Sequence, residues 1–144
     1  MVQKKMMIRN GVVLWLATAA LVGAQVPSWS VSIVNGLSHL DLNVHCQSKN
    51  DDLGNHHLVK RGDIYKWNFK ENFWGTTLFW CKLEKSDAYV SFETFWPESW
   101  SNTWLRDRCG PEGTCIWVAK DGGIYLKNNP ANRDEFVHKW WIGK

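Results

Sequence analysis

LDLNVHCQSKNDDLGNHHL, residues 40–58, opens in strict alternation. Leu40, Leu42, Val44 and Cys46 fall on one face of an extended chain, and Asp41, Asn43, His45 and Gln47 on the other. Successive side chains of a strand point to opposite faces of its sheet, so a period of two marks a half-buried β-strand. The second half of the stretch breaks the pattern. Asn50, Asp51 and Asp52 carry short polar side chains that bond to nearby backbone, and Gly54 tolerates conformations other residues resist. We expect a strand ending near Cys46, then a turn or loop over Asp51–His57 that bends the chain toward the next strand.

The same residues invite a chemical interpretation. A glycosidase needs two carboxylates facing each other across a substrate, which neighbours in a turn seldom do. A calcium loop needs oxygen ligands at alternate positions before its glycine, and NDDLGNHH lacks that spacing. His56 and His57 point opposite ways on an extended chain and make a poor chelating pair. His39, His45 and His138 have no partner identifiable in the sequence. No metal and no cofactor are expected.

Working outward, the alternation recurs. Tyr65, Trp67 and Phe69 alternate with Lys66, Asn68 and Lys70; Phe79, Cys81 and Leu83 share a face; Val90, Phe92 and Thr94 oppose Tyr89, Ser91 and Glu93. In CIWVAKDGGIYLKN, residues 115–128, Asp121-Gly122 is placed to supply the positive backbone angles of a tight hairpin. Strands are expected near 29–35, 39–48, 63–71, 76–84, 89–96, 115–120, 123–127 and 135–142. Seven or eight short strands at this spacing predict an all-β fold, a small two-sheet antiparallel β-sandwich.

The first residues explain part of the charge. Lys4, Lys5 and Arg9 precede an apolar run from Gly11 to Val22, and small residues Gly23 and Ala24 follow, with Val22 and Ala24 at the positions a signal peptidase reads. This is the layout of a secretory signal peptide, too short for a membrane span of about 20 residues. We expect residues 1–24 to be removed, leaving 25–144 as one domain of 120 residues. The formal charge of +3 reflects 17 basic and 14 acidic residues; three of the basic ones lie in the leader, so the mature chain is formally neutral. Nucleic-acid binding, which runs on an excess of lysine and arginine, loses its support.

All four cysteines, Cys46, Cys81, Cys109 and Cys115, lie in the mature part. An even number in an exported chain implies two disulfides, and no C-x-x-C pair speaks for zinc. No G-x-S-x-G elbow, glycine-rich phosphate loop or H-E-x-x-H occurs, so no catalytic residue is assigned and an enzyme is not expected. Ten of the eleven tryptophans are mature. Trp29, Trp67, Trp80, Trp117 and Trp140 fall in expected strands, whereas Trp96, Trp100 and Trp104 bracket the polar segment WPESWSNTW, where folding back over the sandwich edge is expected ahead of a ligand-stacking surface.

Taken together, Cys46, Ser48, Asp51-Asp52-Leu53-Gly54, Gly62, Tyr65–Trp67–Phe69, Thr77-Leu78-Phe79-Trp80-Cys81, Arg108-Cys109, Cys115-x-Trp117 and Asp121-Gly122 before Ile124-Tyr125-Leu126 carry a resemblance. They resemble the plant self-incompatibility S-protein family, the secreted stigma proteins of poppy and their homologues, across nearly all of residues 29–142. The resemblance implies a secreted β-sandwich with two disulfides and no enzymatic activity, acting as an extracellular ligand for a membrane protein. This chain departs from the family pattern in KLEKSDAYVSFETFW, with Lys82, Glu84 and Lys85 where an aromatic often sits, and in a tryptophan-rich PESWSNTW.

Four cysteines allow three pairings. In the chain-entropy treatment a Cys109–Cys115 bond is worth about 2.4 kcal/mol and a Cys46–Cys115 bond about 4.4 kcal/mol. We expect the long-range set, Cys46–Cys115 with Cys81–Cys109. The functional expectation is a monomeric extracellular ligand recognised through its loops by an unidentified membrane receptor on a neighbouring cell, touching membranes only through that receptor. The expected contact residues are Asp51, Asp52, His56 and His57 in one loop and Glu98, Trp100 and Asn102 in the Pro97–Trp104 segment. The alternative is a secreted glycan-binding module that stacks sugars on Trp100 and Trp104.

Overall fold

The computed structural model describes residues 28–143, so the expected leader over residues 1–24 lies outside the described residues. Ten strands follow in order: β1 (Ser28–Asn35), β2 (Leu42–Ser48), β3 (Asp52–Leu58), β4 (Ile64–Lys70), β5 (Phe79–Lys85), β6 (Ala88–Phe95), β7 (Thr114–Lys120), β8 (Gly123–Asn128), β9 (Arg133–His138) and β10 (Trp141–Ile142). One short helix, α1 (Trp104–Cys109), sits between β6 and β7. Sheet A has the order β4-β1-β7-β8-β9 and sheet B the order β10-β6-β5-β2-β3. All neighbours are antiparallel except β1 and β7, which run parallel.

Each of the eight expected ranges holds a strand, and the two further strands have identifiable causes. Asp52–Leu58, expected as a turn, is the edge strand β3, paired with β2 from Leu42↔Leu58 to Gln47↔Asp52. Gly54 takes φ 83° there and a register shift lies between His45 and Gln47, so the glycine marks an irregular strand rather than a reversal. The reversal is confined to residues 49–51. The expected strand 135–142 splits, because the chain leaves sheet A after His138 and joins sheet B at Trp141. The Asp121-Gly122 hairpin forms with Lys120 opposite Gly123, but the positive angle falls on Gly123, φ 150°. A Cβ on Gly123 would lie 2.5 Å from the Phe136 ring and 2.6 Å from the His138 carbonyl oxygen.

The core fills the space between the sheets as the alternation requires. Val31, Ile33, Trp117, Ala119, Ile124 and Leu126 from sheet A meet Leu42, Val44, Leu83, Val90 and Phe92 from sheet B, all buried. A bulge tightens one end: Phe79 pairs with Phe95 while Trp80 pairs with Glu93, leaving Thr94 as the extra residue of β6. Thr94 and Phe95 are therefore both buried. The Trp117 indole N–H donates across the sandwich to the Thr94 carbonyl at 3.0 Å, and the Thr94 hydroxyl donates to the Phe79 carbonyl at 3.3 Å. Fully buried Asn35 binds the far end together, donating to the carbonyls of Leu40 and Leu58 and accepting from the Leu37 N–H.

The disulfides are Cys46–Cys81 and Cys109–Cys115, which corrects both expected pairs. Alternation assigns Cys46 to the core face but does not say which strand lies beside it. β2 and β5 are neighbours, and their register sets Cys46 directly opposite Cys81 with Cα atoms 4.0 Å apart. Cys109 ends α1 and Cys115 is the second residue of β7, with Cα atoms 4.5 Å apart. Adjacency in the fold, of two strands in one case and of a helix end and a strand in the other, selects the partners rather than the larger loop entropy.

Candidate functional site

The strand register sorts the connections into two ends. Ser28 lies opposite Lys70, Ser48 opposite Phe79, Phe79 opposite Phe95, and Asn128 opposite Arg133. Residues 49–51, 71–78, 96–103, 110–113 and 129–132 therefore gather at one end of the sandwich. Trp29, Phe69, Phe79 and Phe95 pack beneath it with ring centroids 4.7–5.0 Å apart. The opposite end carries short connections, tied by the bond from the Ser38 N–H to the Asp121 carboxylate and by the Trp140 indole to the Lys120 carbonyl.

The first end bears the three most exposed aromatic side chains among the described residues: Trp100 at 92%, Phe73 at 88% and Trp74 at 79% exposure. Both loops that hold them are closed by their own hydrogen bonds. Asn72 receives the Thr76 N–H at 2.9 Å on its side-chain oxygen and the Gly75 N–H at 3.2 Å on its carbonyl, and its own N–H donates to the Thr77 hydroxyl at 2.7 Å. Gly75, at φ 68°, turns the chain, and Phe73-Trp74 is left at the tip. Around Trp100, the Asn102 N–H donates to the Ser99 carbonyl at 3.0 Å, and the hydroxyls of Ser99 and Ser101 meet at 3.0 Å. Rings exposed on ordered loops have little conformational freedom left to lose on a contact.

Of the residues expected to contact a partner, Trp100, Asn102 and Asp51 are exposed at this end. Glu98 is turned inward. Its carboxylate accepts the Leu105 and Arg106 N–H groups at 2.6 and 3.0 Å, satisfying donors that the first turn of α1 leaves free. Trp104 is engaged as well: it stacks on Trp96 at 6.0 Å and lies 4.2 Å from the Arg108 guanidinium. The expected pair of sugar platforms, Trp100 and Trp104, is thus reduced to Trp100. Beside the stacked pair runs an open groove of about 710 Å³, walled by Leu78, Phe92, Trp96, Trp104 and His138 with Glu93 at its rim. Burial holds the His138 imidazole below its usual pKa.

The other expected residues lie along the edge strand β3. Asp52 accepts the Gly54 N–H at 2.9 Å and bonds His45 Nε2 at 2.7 Å, and these contacts hold its carboxyl below the usual range. His57 pairs with Asp41, whose carboxyl is lowered chiefly by that bond. His56 faces the other way, as adjacent strand residues must. Its ring stacks on Tyr65 at 3.7 Å, and Nε2 donates to the Leu53 carbonyl at 2.8 Å. The Tyr65 phenol is raised, first by burial and then by the charge of Asp51. Phe73 and Trp74 were not singled out from the sequence. Their signal was an aromatic pair directly before a glycine in the polar run ENFWGTT.

The family model described as plant self-incompatibility protein S1 matches residues 30–140. S-protein homolog 1 and S-protein homolog 74 of Arabidopsis thaliana are each 37% identical over 127 residues, covering 88% of this chain and 80% of theirs. S-protein homolog 21 of the same plant is 39% identical over 101 residues, 70% of this chain and 71% of its own. Among solved structures, a self-incompatibility protein homologue superposes with a TM-score of 0.60 at 20% identity, over 80% of this chain and 96% of that one. It is described as one of a widespread family of small, highly stable, secreted proteins from plants.

Proposed function

Because the chain belongs to the plant self-incompatibility protein S1 family, we propose that it is an exported signalling ligand recognised by a membrane receptor on a neighbouring cell. The event is self-incompatibility or related cell–cell signalling. In this proposal residues 1–24 direct export, residues 25–144 are the mature domain, and no catalysis is involved. The description of the solved relative as secreted, and two disulfides among the described residues, support export.

The observation that carries the proposal is the aromatic loop end. Phe73, Trp74 and Trp100 stand exposed on loops that their own hydrogen bonds order. Tryptophan is over-represented among residues that dominate binding energy, and pre-ordered loops lower the entropy lost on docking. The test is substitution of the tips alone: Phe73→Ser, Trp74→Ala and Trp100→Ala. Exchange of all of 97–104 would also remove the Glu98 carboxylate from α1 and Trp104 from its stack. The tip variants should retain the wild-type unfolding midpoint and lose binding to plasma-membrane fractions of the responding tissue. Full retention of binding by the triple variant would refute the loop-end assignment.

A further inference from the structure

The mature chain is formally neutral, but the fold separates its charges by face. Along the outer surface of sheet A the register aligns one row of five residues across all five strands: Ile64, Val34, Val118, Tyr125 and Phe136. Every member is apolar or aromatic. Ile64 is 58% and Phe136 55% exposed, and the three between them are half-buried. Tyr125 and Phe136 meet edge to face at 5.6 Å. Gly123 seats the Phe136 ring, since any side chain there would collide with it. Five strands about 4.8 Å apart make this band about 19 Å long.

Lysines flank the band. In the next row Lys66 and Lys127 lie on either side of Ser32 and Ile116, and Lys70 lies beyond them. Lys120 starts on the opposite side, but its ammonium reaches over the Tyr125 ring, 4.7 Å away, toward Asp134, which faces Lys127 in the first row. Asp134, bonded to Lys120 at 2.7 Å, is the one carboxylate on this face among the described residues. The outer face of sheet B has the reverse balance, with Asp52, Glu84 and Glu93 against Lys82 and the histidines His45 and His57.

We propose that the outer face of sheet A is a docking surface for an acidic amphipathic helix of a partner protein. The apolar stripe of that helix would lie along the Ile64–Phe136 band, and its flanking carboxylates would meet Lys66 and Lys127. Charge complementarity names the occupant. With Lys120 paired to Asp134, the face keeps three lysines without a carboxylate partner among the described residues, which selects an acidic partner, and the apolar band distinguishes an amphipathic segment from a merely charged polymer. The dimensions agree: about 13 helical residues span about 19 Å. This surface is distinct from the loop end, so either assignment can fail without the other.

The probe is a random 16-residue peptide library displayed on phage and selected against the oxidised mature protein, with individual winners measured by fluorescence anisotropy. Selected sequences should place apolar residues at helical spacing with Asp or Glu beside them, and their binding should weaken as salt is raised. Phe136→Ser, and separately Lys66→Glu with Lys127→Glu, should each weaken them about tenfold or more. Phe73, Trp74 and Trp100 substitutions should leave them unchanged. The charge reversal keeps the test decisive if Phe136→Ser impairs folding. Selection of basic or neutral sequences, or winners indifferent to both face variants, would overturn the proposal. So would capture of the protein by polygalacturonate or phosphatidylserine vesicles with peptide binding absent.

Discussion

Replacing Cys46 and Cys81 together by alanine removes a cross-link between adjacent strands and frees the unfolded chain. The cysteines are 35 positions apart, and in the chain-entropy treatment a closed loop of about 36 residues stabilises by about 3.8 kcal/mol. The Cys109–Cys115 loop, with a separation of 6, is worth about 2.4 kcal/mol on the same basis. The two loops share no residue, so their effects should add to about 6 kcal/mol, comparable to the whole stability of many domains. With an unfolding entropy of about 2.1 cal/mol/K per residue, Cys46→Ala/Cys81→Ala should melt about 15 °C lower and Cys109→Ala/Cys115→Ala about 10 °C lower. Urea unfolding of each double variant and of the quadruple variant measures all three quantities. The cross-strand variant should also show a larger denaturant slope, because its unfolded state is more expanded. A greater loss from the short loop than from the long one, or a quadruple variant no worse than either double, would refute the reasoning.

Glu98→Ala, by leaving two α1 donors without their acceptor, should destabilise by about 1–2 kcal/mol, read by urea unfolding. Gly123→Ala forces a Cβ into the Phe136 ring and the His138 carbonyl and should cost about 2–3 kcal/mol, with faster hydrogen exchange along β8 and β9. The Asp41 and Asp52 carboxyls are lowered in the fold, so their contribution is full above about pH 4 and is lost as pH falls through the folded values. His45→Asn with His57→Asn should flatten that acid limb. His138 is lowered by burial, so its contribution is full above about pH 6.5 and lost as pH falls toward its folded value; His138→Phe should remove that slope from stability measured against pH.

Alternation made the sandwich legible because facing a core leaves a periodic trace in each strand. Leu42, Val44 and Cys46 could be assigned a face before anything was known of their neighbours. Lateral order leaves no such trace, and the cysteine pairing depended on it: nothing in residues 40–48 says that β5 lies alongside. β3 was obscured because an edge strand with one half-buried face need not alternate hydrophobic residues. Its polar side chains find partners locally, His45 with Asp52 and Asp41 with His57. α1 was missed because six residues span under two turns, and its cap comes from Glu98, outside the spacing that sequence rules inspect. At the candidate site Trp100 and Asn102 could be placed in a polar loop, but not which of its tryptophans fold back: Trp96 and Trp104 do, and Trp100 stands out. Glu98 was taken for a surface contact because its bonds are made with a helix that the pattern did not announce.

The parallel pairing of β1 with β7 has a consequence for how the chain matures. Sheet B, apart from two residues, is encoded within positions 42–95, interrupted there only by β4 of sheet A, and its bridge lies wholly within that interval. The earliest strand to be synthesised is instead the second of sheet A, and one of its flanks stays open until position 114 has been made. During synthesis sheet B can close while the edge of β1 that will receive β7 keeps its backbone donors and acceptors unpaired. A ribosome paused shortly before codon 114 would hold a half-built molecule, and that interval is when a chaperone has most to protect.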